Sequence, residues 1–299
     1  MTIQELKYFV AVADHLHFSR AADDCHVTQP TLSAGIRSLE AKMGQKLFER
    51  GSHGVLLATQ AEPLLSQARR ILAEVRQLEQ LARAGGTPLT GVLRLGAIPT
   101  IGPYLLPHII PGIRRQWPDL KLHLVEGKTE ELLAQLRRGD LDAALLSPPL
   151  ATAGLHSAQL YQEEFLLATP AGHRLAAVKA ARLADLTAEP LLLLDEGHCL
   201  RDQVVEFCRI GDSAARELLR SSSLETLRNM VAAGVGCTLL PALAVTPDHT
   251  QIEVRQLARP RPSRNVICCW RQNHVDQESI RLLTDSIRAH LPGTVTALT

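Results

Sequence analysis

Cys199 and Cys208 are the residues in this chain best placed to do chemistry, with His198 just before the first and Arg201 just after it. The thiolate, rather than the thiol, attacks a peroxide or a disulfide. The apolar run Leu191 to Leu194 reads as a short buried strand, and Gly197 as the turn that releases the chain into a helix. Cys199 then starts that helix, where unpaired N–H groups and the helix dipole favour a thiolate and where Arg201 and His198 push the same way. If the intervening segment is helical, the two cysteines stand about 13 Å apart along the axis. A disulfide needs Cα atoms within about 7 Å. Pairing therefore requires the helix to unwind, and bond formation becomes a conformational switch. The plainer alternative is two reduced cysteines packed as small hydrophobes, the commoner fate of intracellular cysteine, and local sequence alone favours it. No CxxC zinc pattern occurs, and neither a metal nor another cofactor is expected.

The chain that must position these thiols has 299 residues, 45% hydrophobic and 21% charged, long enough for two or three units with real cores. Its net charge of +1 argues against a broad electrostatic attraction to nucleic acid or membrane, so any DNA contact must come from a local surface. The opening Met1-Thr2-Ile3-Gln4-Glu5 lacks a basic, then apolar, leader, and no run reaches the length of a membrane span. A cytoplasmic protein is expected. The six cysteines (Cys25, Cys199, Cys208, Cys237, Cys268, Cys269) form no regular framework, which suggests free thiols with a switchable pair as the special case. Cys237, Cys268 and Cys269 fall on expected strands and read as apolar substitutes, and Cys25 as core.

Residues 1–58 read as a small helical module. Thr2 and Glu5 fit a capping box, and Leu6, Phe9, Val10, Ala13 and Leu16 share one helical face. Ser19 can cap a second helix and Thr28 a third, with Pro30 tolerated in its first turn and Gly44 at its end. Leu32, Ile36, Leu39 and Met43 make the buried stripe of that third helix. Its other face offers Gln29, Pro30, Thr31, Ser33 and Arg37, with the small Ala34 and Gly35 allowing close approach, a surface suited to the major groove, although three amphipathic helices alone leave open a small module that binds protein. Residues 47–57 then read as a hairpin, a wing with Arg50 and His53 reaching the DNA backbone or minor groove.

Residues 59–88 read as a linker: a helix capped by Thr59 and Glu62, then a hinge at Gly85-Gly86-Thr87-Pro88. Leu64, Ala68, Ile71, Val75, Leu78 and Ala82 form a heptad seam of fewer than three heptads, which could equally pack on its own chain, although the helix's length invites pairing with a second subunit. From residue 89 to 299, apolar runs alternate with helical patterns, which predicts an α/β domain with a largely parallel sheet. Two strand-to-helix turns, Ile98-Pro99-Thr100 and Gly127-Lys128-Thr129, end in threonine, and such turns are where small ligands bind. Each threonine taken alone is as readily a helix cap. A second series, from Phe165 to Ala168 through Ser223 capping Leu224 to Ala233 and on to Asn265 to Trp270, predicts a second lobe built like the first.

Ala21-Ala22, Gln29-Pro30-Thr31-Leu32-Ser33, Ile36, Leu39-Glu40, Gly44 and Leu47-Phe48-Glu49-Arg50 carry a resemblance to the LysR-type transcriptional regulators, over nearly the whole chain. Gly197 to Gln203, Phe207-Cys208 and Ser223 to Gly234 narrow it to the peroxide-sensing members. The resemblance implies a winged helix-turn-helix module dominated by helices and a two-lobed α/β effector domain like that of periplasmic binding proteins. It implies that hydrogen peroxide oxidises Cys199, that Cys208 closes a reversible disulfide, that Thr100 and Thr129 bind peroxide, and that Arg264 supports the thiolate. It further implies a homotetramer, double-stranded promoter DNA and RNA polymerase as partners, and reset by a thiol reductant such as glutaredoxin or thioredoxin. The rival expectations are a LysR-type regulator sensing a metabolite between its lobes, with incidental cysteines, and a thiol peroxidase. A periplasmic solute-binding protein shares the two-lobed fold, but the expected lack of a leader counts against it.

Overall fold

The computed structural model describes residues 1–51, 54–84, 88–186, 188–209, 220–245 and 251–298. The chain forms two compact units, the first ending at Gly86.

In the first unit the capping box forms: the Thr2 hydroxyl accepts from the Glu5 N–H at 3.2 Å, and the Glu5 carboxylate from the Thr2 N–H at 2.8 Å, opening α1 (Ile3–His15). Helix α2 (Phe18–Asp24) is capped by His17, whose Nδ1 accepts from the Arg20 N–H, and not by Ser19, which already lies in the first turn. Thr28 caps α3 (Gln29–Met43), and Gly44 ends it in the left-handed conformation at φ 70°. Leu32, Ile36 and Leu39 are fully buried, and the rings of Phe9 and Phe18 meet Phe48 edge-on at 5.6 and 6.0 Å. The hairpin pairs β1 (Phe48–Gly51) with β2 (Gly54–Leu57). The Thr59 capping box does not form: Thr59–Ala61 is a 3-10 turn entered from Ala58, which has no capping hydroxyl, and α4 runs Glu62–Ala84. Helix α4 buries Leu65, Ala68 and Leu72 in this unit's core, while Leu64 and Ile71 only flank it and Leu78 stays 68% exposed. Within one chain the seam is covered unevenly: Ala68 is buried, Leu64, Ile71 and Val75 are half-buried, and Leu78 is exposed. The expected hinge residues 85–87 lie outside the described residues.

The second unit opens with β3 (Gly91–Ala97), α5 (Gly102–Gln116), β4 (Leu120–Glu126), α6 (Thr129–Arg138) and β5 (Ala143–Leu146), with β3 parallel to both β4 and β5. The chain then crosses on β6 (Leu155–Pro170). Beyond it come α7 (Leu183–Leu186), β7 (Leu193–Leu194), α8 (Cys199–Cys208), β8 (Arg220–Ser221), α9 (Leu224–Ala232), β9 (Thr238–Pro241) and β10 (Ile252–Gln256). It returns on β11 (Ser263–Arg271) to α10 (Gln277–Ala289) and β12 (Thr296–Ala297). Two lobes result, each a mixture of strand directions. The carboxy-terminal half of β6 pairs antiparallel with β9 and β10, while its first half pairs antiparallel with β11.

Two expectations change here. The sheet is mixed rather than largely parallel, because long strands crossing between lobes must run antiparallel to one another. Asn265 to Trp270 belongs to the first lobe, since β11 lies between β6 and β5, with Cys268 opposite Leu145 and Ala158. Ser223 precedes α9 as expected, yet its hydroxyl makes no cap bond. Cys237, Cys268 and Cys269 are fully buried, and burial raises each thiol to about 12, as apolar substitutes should behave. Cys25 only flanks its core.

Candidate functional site

Strands β3 and β4 run in parallel and end together, so the turns that follow them present Thr100 and Thr129 side by side at one edge of the sheet. Across from them, in the second lobe, Asp195 is tied to Ser221 by a backbone bond, Gly197 turns at φ 87° and His198 delivers the chain into α8. Ile98, Pro99, Thr100, Lys128, Thr129, Gly197, His198 and Cys199 line a narrow crevice with no room for a water molecule. Cys199, half-buried, is the thiol among these lining residues.

Neither threonine serves as a cap. The Thr100 hydroxyl accepts from Arg264 Nη1 at 2.9 Å, and the Thr100 carbonyl accepts from Nη2 at 2.8 Å. Thr129 Oγ1 is buried without a hydrogen bond of ordinary geometry, yet it lies close enough to the Cys199 sulfur to favour its thiolate. Arg264 is wholly buried. It bonds through Nε to Glu163 Oε1 at 2.8 Å and sits 5.9 Å from the centroid of Phe165. Glu163, its partner across the β6–β11 ladder, also accepts from the Leu243 N–H at 3.1 Å. The guanidinium is therefore fixed behind the thiol and stays charged: burial opposes the charge, but Glu163 more than compensates.

The electrostatics at Cys199 differ from the sequence expectation. Burial dominates and raises the thiol above its ordinary value, against the pull of Arg264, Thr129 and the Leu200 N–H. Arg201 plays no part in this, because positions i and i+2 of a helix do not share a face. Its guanidinium pairs instead with Asp202 at 3.0 Å and Glu196 at 3.8 Å. His198 lines the crevice but is held below its usual range by burial and the Lys128 ammonium, so it lends no positive charge at neutral pH.

Cys208 is free, like Cys199, and closes α8 nine residues along, buried and raised to about 11. Between the cysteines the helix is anchored by buried Leu200 and Val204, by the Phe207 ring 5.4 Å from Phe165, and by Gln203. The Gln203 amide donates to Ser147 Oγ at 3.0 Å and to the Pro148 carbonyl at 2.9 Å. Sequence reasoning did not single out Glu163 or Ser147, and named Gln203 only within the run that carries the resemblance. An acid pair preceding the apolar Phe165-Leu166-Leu167 was the one available hint of a buried ion pair.

On the first unit, Gln29, Pro30, Thr31, Ala34 and Arg37 are exposed along α3. Ser33 is buried and its hydroxyl accepts from Gln29 Nε2 at 3.5 Å, so it steadies Gln29 rather than reaching outward. Gly35 is small for an internal reason, because a Cβ there would lie 2.5 Å from the Tyr8 ring of α1. Arg50 lies on β1 opposite Val55, and His53 lies outside the described residues.

Comparison with known proteins matches residues 3–62 to the bacterial regulatory helix-turn-helix protein, lysR family, and residues 86–292 to the LysR substrate binding domain. The DNA-binding transcriptional dual regulator OxyR of Escherichia coli is 44% identical over 295 residues, covering 98% of this chain and 97% of that protein. Full-length OxyR of Pseudomonas aeruginosa carrying a Cys→Asp substitution superposes with a TM-score of 0.78 at 40% identity, over 97% of this chain and 99% of that one. A cysteine mutant of Corynebacterium glutamicum OxyR with hydrogen peroxide bound matches with a TM-score of 0.65 at 32% identity, over 97% and 94%. With both units matched and similarity running end to end, this chain belongs to the LysR-type family of bacterial transcriptional regulators.

Proposed function

We propose that this chain is a peroxide-responsive transcriptional regulator of the OxyR type, in which Cys199 is the reacting thiol and Cys208 its resolving partner. The Cys199 thiolate attacks one oxygen of hydrogen peroxide, the O–O bond breaks, and the departing hydroxide takes a proton to become water. Cys208 then attacks the sulfenic sulfur and displaces a second water, so two thiols and one peroxide give one disulfide and two waters. Thr100 and Thr129 hold the peroxide, Arg264 supports the thiolate, His198 lines the crevice as a neutral ring, and Arg201 steadies the turn at Glu196. The observation that carries this reading is the position of Cys199: it starts a helix, in a crevice walled by two strand-end threonines, with a buried arginine behind it and a second free thiol at the far end of the same helix.

The disulfide requires α8 to unwind, which makes that helix the bistable element that oxidation biases. Three working parts follow. Residues 1–58 bind double-stranded promoter DNA through Gln29, Pro30, Thr31 and Arg37 of α3, with Ser33 steadying Gln29 and with Arg50 and His53 in the wing. Residues 59–88 pair subunits through the apolar seam of α4. Residues 89–299 sense peroxide. The homotetramer rearranges on oxidation and changes its promoter contacts and its recruitment of RNA polymerase, and a glutaredoxin- or thioredoxin-like reductant resets it.

The test is mass mapping of thiols in the full chain after one equivalent of peroxide. A Cys199–Cys208 bond formed ahead of any change at the other four cysteines is expected. A transcriptional response to peroxide that survives Cys199→Ser would refute the proposal.

A further inference from the structure

The crevice has a wall residue that the proposed chemistry does not use. Lys128 lies in the β4–α6 turn of the first lobe, where its own N–H donates to Glu131 Oε2 at 3.1 Å, fixing the backbone from which the side chain departs. That side chain crosses to the second lobe and donates from Nζ to the Glu196 carbonyl oxygen at 2.8 Å. On the way its Cδ passes over Gly197, where a Cβ would stand only 3.1 Å from it. Glycine at 197 thus serves two ends, the turn at φ 87° and the close passage of the lysine stem. The carboxylate of the same Glu196 is held from the other side by Arg201 and Arg220, so the carbonyl that Lys128 grips belongs to a well-fastened turn.

We infer that Lys128 is a strap across the mouth of the Cys199 crevice, which sets how large a peroxide reaches the thiol. This rests on the reading of Cys199 as the peroxide-reactive group. Three observations carry it. The strap joins the two turns that form opposite walls of the crevice, so releasing it removes a direct tie between the walls. The crevice is too narrow in this closed form for a water molecule, and a peroxide is larger than water, so entry requires the walls to part. The ammonium is committed to a carbonyl at the rim rather than to the sulfur, and Arg264, not Lys128, is the charge acting on Cys199. Lys128 is accordingly a specificity-determining residue rather than a catalytic one.

The experiment compares the wild-type full chain with Lys128→Met, which keeps an apolar stem but loses the Nζ bond, and with Lys128→Arg, which keeps a donor. Second-order rates of Cys199 oxidation are measured with hydrogen peroxide and with tert-butyl hydroperoxide, alongside maleimide labelling of Cys208 as a local control. Loss of one charge-assisted hydrogen bond present only in the closed form predicts roughly a tenfold gain with tert-butyl hydroperoxide for Lys128→Met. Hydrogen peroxide, close to water in size, enters by small partings that leave the Nζ bond in place, whereas tert-butyl hydroperoxide needs that bond broken; the gain with hydrogen peroxide should therefore be distinctly smaller, Lys128→Arg should resemble wild type, and Cys208 labelling should not change. Equal acceleration with both peroxides, no change with either, or slower oxidation with both would each overturn the strap. Complete inertness of wild-type Cys199 to hydrogen peroxide would instead remove the function on which it rests.

Discussion

Shortening one side chain in α8 tests whether this helix is what the disulfide must melt. Val204 sits midway between the two cysteines and is 2% exposed. Replacing it with alanine removes two buried methyl groups, about 1.6 kcal/mol at roughly 0.8 kcal/mol each. Incomplete collapse of the space left behind adds up to about 1 kcal/mol, and the better helix propensity of alanine returns about 0.6 kcal/mol. The reduced, helical form is therefore weakened by about 2 kcal/mol. If α8 unwinds in the disulfide form, Val204 has no such contacts there and the oxidised form is spared. The whole difference then appears in the redox equilibrium, and the reduction potential of the Cys199–Cys208 couple falls by about 40 mV for a two-electron process.

The assay is a titration in glutathione buffers of known ratio, with the two thiols counted by alkylation and mass, beside thermal unfolding of each form. The expected pattern is a reduced form with a lower melting temperature, an oxidised form with an unchanged one, and a more negative potential. An unchanged potential with both forms equally destabilised would mean that Val204 keeps its contacts after oxidation. In that case the helix does not unwind, and the link from thiol chemistry to shape is wrong.

Three further outcomes follow from the same structure. Arg264→Met leaves Glu163 buried without its counter-ion, so thermal unfolding of the regulatory unit should show a loss of about 3–5 kcal/mol; because burial then raises the Cys199 thiol with less opposition, its iodoacetamide labelling at fixed pH should slow. Glu5 is held at about 2 by Lys42 and Ser38, so its contribution is intact above its unfolded value near 4.5 and is lost as pH falls through 2; Glu5→Gln should flatten the acid-side fall in melting temperature of the amino-terminal unit across that window. Arg37→Ala should weaken operator binding roughly tenfold and reduce the slope of log affinity against log salt by about one, and an unchanged isotherm would take this face of α3 out of the interface.

What the sequence made legible was mostly local. The Thr2–Glu5 box, the Thr28 cap and the Gly44 stop each need only residues within one turn, and all three form. Thr100 and Thr129 were accessible because each follows an apolar run, and parallel pairing of the two runs brings them together. What stayed hidden depended on long-range pairing. The Arg264–Glu163 partnership exists because β11 returns beside β6, with the two residues in register across about a hundred positions of chain, and no local pattern encodes that register. Arg201 shows the converse error: closeness in sequence suggested closeness to the sulfur, but the helical geometry of α8 sends the guanidinium to Glu196 and Asp202.

The raised Cys199 thiol and the narrow crevice are two expressions of one closed state. Desolvation is the largest influence on that sulfur and opposes ionisation, with Asp202 adding to it; Arg264, Thr129 and the Leu200 N–H all act the other way. Admitting solvent therefore leaves the favourable interactions less opposed and lowers the thiol towards the thiolate, because Arg264 is held in place by Glu163 and Thr100 whether or not the mouth is open. Any movement that parts Lys128 from Glu196 thus both admits a peroxide and increases the fraction of sulfur able to attack it. A thiol arranged in this way stays protonated and covered between encounters, which protects it from slow adventitious oxidation. Its reactivity is then set by how often the crevice opens as well as by the charge behind it. In Lys128→Met this reasoning requires a faster oxidation rate to be accompanied by a lower apparent thiol pKa in the pH–rate profile. Acceleration with an unmoved profile would separate access from ionisation and show that the crevice admits peroxide without admitting water.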